Sequence, residues 1–331
     1  NFRDIINTIA AFCLSSHFQE LAPEYPSFSL LFTSTNRNQA AQDAIKAIIG
    51  SNRTRQANAV LDALGLLDGE HLNPHHSKYA KYILDKMKKK GFGQVLNRSE
   101  IFEDCLGVEY MAPQSMRLEP EWVVVVLASL VYSGDVILTF PGVKYDATNL
   151  SQFSTTSIDD LINFKHIEPP KEWNIPAIKA LFELLELAPG KVQLIIQNQD
   201  EPIKDLQKAI AEMVKRLVYV DQVIQDRLTF WKKELYNEEE KLRFRSLLRN
   251  AKSFLESLQI YSTPGKLKNF RYDVKDIQPY YEIIRILKEI EALRDFISEM
   301  SNLSSYITEA ERLLPSDHNW ANSVKKVREE I

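Results

Sequence analysis

The chain has 331 residues, 44% of them hydrophobic and 26% charged, with 41 Lys and Arg against 45 Asp and Glu and a net charge of -4. That composition suits about two globular domains and excludes a basic field over the whole chain for nucleic acid. Ten glycines among 331 residues are well below the roughly 7% of an average protein, which argues against phosphate-cradling loops that need glycine's positive φ.

Phe2, Ile5, Ile6, Ile9 and Phe12 repeat at helical spacing, and Ala22-Pro-Glu-Tyr-Pro26 breaks the pattern. Helices are expected over Asn38 to Ile49, closed by Gly50, and over Thr54 to Leu64, with Gly65 and Gly69 around a turn. Ser77 can cap a helix running to Lys90, with Tyr79, Tyr82, Ile83 and Met87 as its apolar face. Lys88, Lys89 and Lys90 crowd its last turn, where the helix dipole favours cations.

Pro120 suits the first turn of a helix whose body is Trp122 to Tyr132. That body is apolar all round, so it must be buried on nearly every side. Ser133-Gly134 ends it, and Asp135 to Phe140 and Val143 to Ala147 form a hairpin through Pro141-Gly142. Helix, glycine and hairpin make up the closing half of a winged-helix unit, although such a buried helix cannot read a DNA groove. Thr156 or Ser157 caps a short helix, His166 to Pro176 is loop-like, and Ala177 to Leu187 is helical. Lys191 to Gln197 is an apolar run that fits a strand or the start of a helix.

From residue 201 the pattern is cleaner. Ile203, Leu206, Ile210, Met213, Leu217, Val220 and Ile224 step by three and four, and Trp231 continues the seam. A helix over 203–236 spans about 50 Å. Asn237 with Glu240 resembles a capping box for a helix carrying Leu242, Leu247, Leu248, Ala251, Phe254 and Leu258. Thr263-Pro-Gly265 reads as a turn. A last long helix follows with Ile283, Ile286, Ile290, Leu293, Ile297, Met300 and Ile307, ended by Pro315. Residues 201–331 hold 23 Lys and Arg against 22 Asp and Glu, so this arm carries charge of both signs. The expected fold is mainly α. A helical domain over 1–110, for which a winged-helix form is one option, precedes a winged-helix-like domain over 111–200 with its hairpin at 135–147. A coiled-coil-like helical hairpin or bundle over 201–331 completes the chain.

Chemistry is sparse. No GxxxxGK[ST], HExxH, GxSxG or GxGxxG occurs. His71, His75 and His76 cluster, but Pro74 breaks a shared helical face, so a polar loop is expected rather than a metal site. Asp159-Asp160 and Glu238–Glu240 fall at helix starts, where carboxylates favour the dipole. The best candidate is a phosphate-binding surface of Arg53, Arg55, Lys78, Lys81, Lys86, Lys88, Lys89 and Lys90, with Lys144 on the hairpin. Its competitor is a solvated helix face. Cys13 and Cys105 form no CxxC pair, and the longest unbroken apolar run, Trp122 to Ala128, is far short of a bilayer span. A cytoplasmic, soluble chain without cofactor, metal or small-molecule substrate is expected.

The phrases Leu118-Glu-Pro-Glu-Trp-Val-Val-Val-Val-Leu-Ala-Ser-Leu-Val-Tyr-Ser-Gly-Asp135 and Pro141-Gly-Val-Lys-Tyr-Asp146 resemble a family of very large bacterial and archaeal ATPases. These belong to BREX-type phage-exclusion systems. Thr156-Ser-Ile-Asp-Asp-Leu-Ile-Asn163 and Ile167-Glu-Pro-Pro-Lys-Glu-Trp173 add to the resemblance, which covers residues 30–200. It implies antiviral defence within a multi-protein complex acting at DNA. The family's P-loop is missing here, so no nucleotide-binding residue carries over. The resemblance then implies a non-ATPase piece following the motor, and Asn1 in place of Met reads as the start of an excised piece.

Overall fold

Ten consecutive residues, Trp122 to Val131, are buried, and the elements around them explain why. In the computed structural model, which describes residues 2–91, 93–105, 107–170, 172–197, 199–226, 228–231, 233–315 and 318–330, the chain divides into two units. The first comprises 1–174 with 261–271, and the second 175–260 with 272–331. Asn1 lies outside the described residues. The fold is mainly α-helical, with small antiparallel β elements.

The first unit opens with α1 (Phe2–Leu21), α2 (Arg37–Ile49) and α3 (Arg55–Ala63). Gly50 stops α2 at a φ of 110°, a left-handed conformation that glycine adopts without strain. The Thr54 side chain accepts the Ala57 N–H and caps α3. A two-residue hairpin, β1 (Leu67–Asp68) and β2 (His71–Leu72), occupies the stretch expected as a bare turn. Ser77 caps α4 (Lys78–Lys90) through the Ala80 N–H, as its position predicts. Then come β3 (Leu96–Asn97), α5 (Arg98–Ile101), β4 (Phe102–Cys105), β5 (Val108–Met111) and the buried α6 (Pro120–Tyr132). The unit continues with β6 (Ile137–Phe140), β7 (Val143–Tyr145), α7 (Leu150–Phe153), α8 (Ile158–Leu161) and β8 (His166–Glu168).

The hairpin expected after α6 is present, with Phe140 opposite Val143 across Pro141-Gly142. It is not a free wing. The β6 strand also pairs with β8, and β8 with β3, giving the sheet order β3-β8-β6-β7. Residues 166–168, expected as loop, thus form an interior strand. Ile167 is buried between half-buried His166 and Glu168, an alternation too short to stand out beside the prolines that follow it. Residues from α2, α4, α6 and the sheet share one apolar core. A boundary at 110/111 therefore gives way to a single unit running to 174.

The second unit contains α9 (Ile175–Leu184), α10 (Val192–Ile196) and α11 (Glu201–Gln225). All seven α11 seam positions from Ile203 to Ile224 are buried. The helix stops at Gln225, short of the expected 236, and β9 (Thr229–Phe230) pairs with β10 (Lys233–Glu234). Trp231, expected to extend the seam, instead sits in the turn at a φ of 47°. Next is α12 (Glu238–Ser257), opened by the reciprocal Asn237–Glu240 capping box. Leu242 was expected on the α12 core face but is 67% exposed, while the aliphatic stem of Lys241 is buried and its ammonium meets Glu234 and Glu238.

Thr263-Pro-Gly265, expected as a turn, begins the short α13 (Pro264–Lys268), with Thr263 accepting the Lys266 N–H. This piece belongs to the first unit, and where a boundary was expected at 200/201 the main stretch of that unit instead ends at residue 174. The second unit resumes with α14 (Val274–Ile277), α15 (Pro279–Leu313) and α16 (Asn319–Glu330). Along α15 the seam is buried at Ile283, Ile286 and Ile290 and only half-buried at Ile297, Met300 and Ile307. No helix among the described residues is long and apolar enough to cross a membrane.

Candidate functional site

The α4 helix divides its residues by face. Tyr79, Ala80, Ile83 and Met87 are buried, and at 100° per residue Lys78, Lys81, Asp85, Lys88 and Lys89 fall opposite them. All five are exposed. The Lys78 ammonium lies 5.2 Å from the centre of the Tyr79 ring. Arg55, Lys81, Lys88 and Lys89 make no ion pair among the described residues. This stripe is a cationic surface with Asp85 as its one carboxylate.

The remaining candidate cations are already committed. Lys86 Nζ donates to the Glu100 carbonyl at 2.5 Å and lies 5.2 Å from the centre of the Tyr82 ring. Lys90 Nζ donates to the Val95 carbonyl at 2.9 Å and to Glu100 Oε2 at 2.6 Å. That ammonium, with the Asn97 backbone N–H, holds the Glu100 carboxyl below its ordinary value. Arg53 is 3.6 Å from Glu70. Lys144 Nζ lies 2.7 Å from Glu168 Oε1 across the sheet. Burial pushes the Glu168 carboxyl up, but Lys144, His166 and Thr139 outweigh it and bring the carboxyl down to about 2. Of the nine expected cations, Arg53, Lys86, Lys90 and Lys144 thus have partners within the chain, while Arg55 and the outer face of α4 are exposed without an ion pair among the described residues.

A second polar cluster lies behind α4. His75 Nε2 is 3.2 Å from Asp135 Oδ2, out of line for a straight hydrogen bond. The Ser133 hydroxyl donates to the same oxygen at 2.5 Å, and Lys268 Nζ lies 3.8 Å from Oδ1. The Asp135 carboxylate raises the His75 imidazole above its ordinary 6.5, against burial and the charges of Lys268 and Lys88. Burial pushes Asp135 up, yet His75 and Ser133 outweigh it, and the carboxyl ends below its usual value. Burial lowers the Lys268 ammonium. Spacing along the chain puts His75 in a polar loop, Ser133 at a helix stop and Asp135 at the start of a strand, because nothing local links position 135 to 268.

Backbone contact places Lys268 there. A Cβ on Gly265 would meet the Tyr132 carbonyl oxygen at 2.2 Å, Ser133 C at 2.7 Å and Gly134 N at 2.8 Å. The α13 segment thus lies directly on the last turn of α6. Leu267 is buried beside it, and Asn269 Nδ2 donates to the Gly265 carbonyl at 3.1 Å. His76 faces Asp68 at 3.7 Å. No group of three or more His, Cys, Asp or Glu among the described residues could hold a metal ion. An open cleft of about 450 Å³ in the second unit is lined by Phe230, Trp231, Ser301, Ser304 and Thr308, with no charged side chain on its wall.

Fold and surfaces together define a mainly α-helical, two-unit protein whose notable features are exposed faces and a docked segment. Residues 37–169 match the family model described as the fourth domain of a family of unknown function (DUF6079), and residues 174–331 match that of its fifth domain. The two stretches cover most of the chain, which belongs to this family. No curated protein and no solved structure matches it.

Proposed function

We propose that this chain is a non-catalytic assembly region of a phage-defence ATPase, placed after the motor and turning over no substrate itself. It works in the cytoplasm. Its helices meet other proteins of the defence system or a second copy of the chain. One observation carries the reading. The α15 helix is buried as far as Ile290, after which Phe296, Leu303, Tyr306 and Leu313 are exposed, Tyr306 at 71%. Large apolar side chains repeated along one exposed helix mark an interaction surface. The seam of α11 does not serve this role, since its own unit covers it.

The test combines light scattering with co-purification from cells that carry a phage-exclusion system. The chain is expected to self-associate or to retain a protein of that system, and Leu303→Glu with Tyr306→Glu is expected to abolish the association. A strict monomer that retains none of them refutes the reading.

A second reading is a nucleic-acid-binding module built on the α4 face. What favours it is the exposed row of Lys78, Lys81, Lys88 and Lys89, which could meet phosphates without reading bases. Lys81→Glu with Lys88→Glu and Lys89→Glu is expected to abolish duplex binding at low salt, whereas Lys144→Ala leaves it unchanged. No binding by the parent chain removes this reading.

A further inference from the structure

The α1 helix precedes the stretch matched to the family's fourth domain. Its last turn is tied to the first unit. The Phe18 ring stands edge-on to Tyr25 at 5.2 Å, Ala22 is buried, and the Tyr25 hydroxyl donates to the Glu119 carboxylate at 3.0 Å. Nothing among the described residues covers the rest of its length. Phe2 is 78% exposed and Phe12 82%, with Ile5, Ile6 and Ile9 between them also exposed. At 100° per residue these five fall on one side of the helix, and Cys13, also exposed, falls with them. From Ile5 to Ser16 no residue is charged. A helix that faces water carries charge on its outer side, whereas this face has the i, i+3, i+7 anchors of a helix laid into an apolar groove.

The family's domain order says where such a groove would come from. The matched stretches are described as its fourth and fifth domains, and α1 lies upstream of both, on the side where that numbering would put a third domain. We propose that α1 is the docking helix for the family's third domain, which covers Phe2, Ile5, Ile9 and Phe12 with an apolar, uncharged groove. The continuous chain holds helix and groove at high effective concentration, so the groove need not bind tightly by itself. The helix then fixes the third domain to the fourth through Phe18 and Tyr25. This deepens the assembly reading, but it rests on α1 alone and is independent of whether α15 finds a partner.

Cys13 reports on the face directly. Two proteins are compared, each with Cys105→Ser: this chain, and the same chain extended upstream through the third domain. Maleimide should label Cys13 at the rate of a free thiol in this chain and at least about tenfold more slowly in the extended one, as expected for a covered site. Ile5→Asp with Ile9→Asp in the extended chain should restore fast labelling, and hydrogen exchange along α1 should follow the same order. Equal labelling rates in the two proteins overturn the proposal. So does slow labelling in this chain alone with a dimer in light scattering, because the occupant is then a second copy.

Discussion

Replacing Gly265 with alanine tests the docking of α13 on the end of α6. The new Cβ would sit 2.2 Å from the Tyr132 carbonyl oxygen, with Ser133 C and Gly134 N at 2.7 and 2.8 Å. Every one of those atoms is backbone, so no side chain can swing away. Carbon and oxygen in ordinary contact stand more than 3 Å apart, so α13 must retreat by about 1 Å or the last turn of α6 must deform. Overpacking of this kind costs about 1–3 kcal/mol. Retreat also loosens Leu267, which is fully buried and contributes about 1.5–3 kcal/mol by its burial. We expect a loss of about 2–4 kcal/mol, read from hydrogen exchange at the Leu267 and Phe270 amides and from urea unfolding of the first unit. Gly190→Ala is the control, since its Cβ would meet nothing within 4 Å, and it should stay within about 0.5 kcal/mol of the parent. Equal stability of Gly265→Ala and Gly190→Ala would show that the two backbones do not bear on each other.

The seam makes a sharper pair. Leu217→Ala in α11 should destabilise the second unit by about 2–5 kcal/mol in urea unfolding, whereas Leu242→Ala, at a position expected in the core but exposed, should change it by under about 0.5 kcal/mol. Similar losses from both would contradict the observed facing of α12. The Asp135 cluster predicts a pH dependence. A histidine raised by folding stabilises below 6.5, its unfolded value, and that contribution fades as pH rises through the folded value. A carboxyl lowered by folding stabilises above its unfolded value and loses that contribution only in acid. The first unit should therefore lose urea resistance as pH rises above about 6.5 and through the folded value of His75, and His75→Gln should flatten that slope. A slope unchanged in His75→Gln would assign it to other groups.

Signals that act within a few residues were legible in the sequence. Thr54, Ser77 and the Asn237–Glu240 pair cap the helices they announce, because a cap needs only its own first turn. The seven-position seam of α11 and the all-round apolar body of α6 were legible for a related reason: one period repeated many times leaves few alternatives. The failures are decisions made by distant partners. Ile167 becomes a strand residue because β6 and β3 lie on either side of it. Trp231 leaves the helix because a hairpin turn holds its backbone at positive φ. The candidate site shrank for the same reason. Lys86 and Lys90 meet carbonyls of Glu100 and Val95, and Lys144 meets a carboxylate two strands away across β6, acceptors that spacing along the chain does not reveal. The exposed outer face of α4 is what spacing alone could find.

The sheet order β3-β8-β6-β7 has a consequence for how this protein meets others. Its two outer strands are short, two residues in β3 and three in β7, and the middle residue of β7 is Lys144. Brief rims that carry a lysine deny an incoming polypeptide the ladder it would need to extend the sheet. Edge-on recruitment of a foreign strand, and the fibrous aggregation that follows from it, are thereby discouraged. At this sheet, association is left to side chains rather than to backbone pairing.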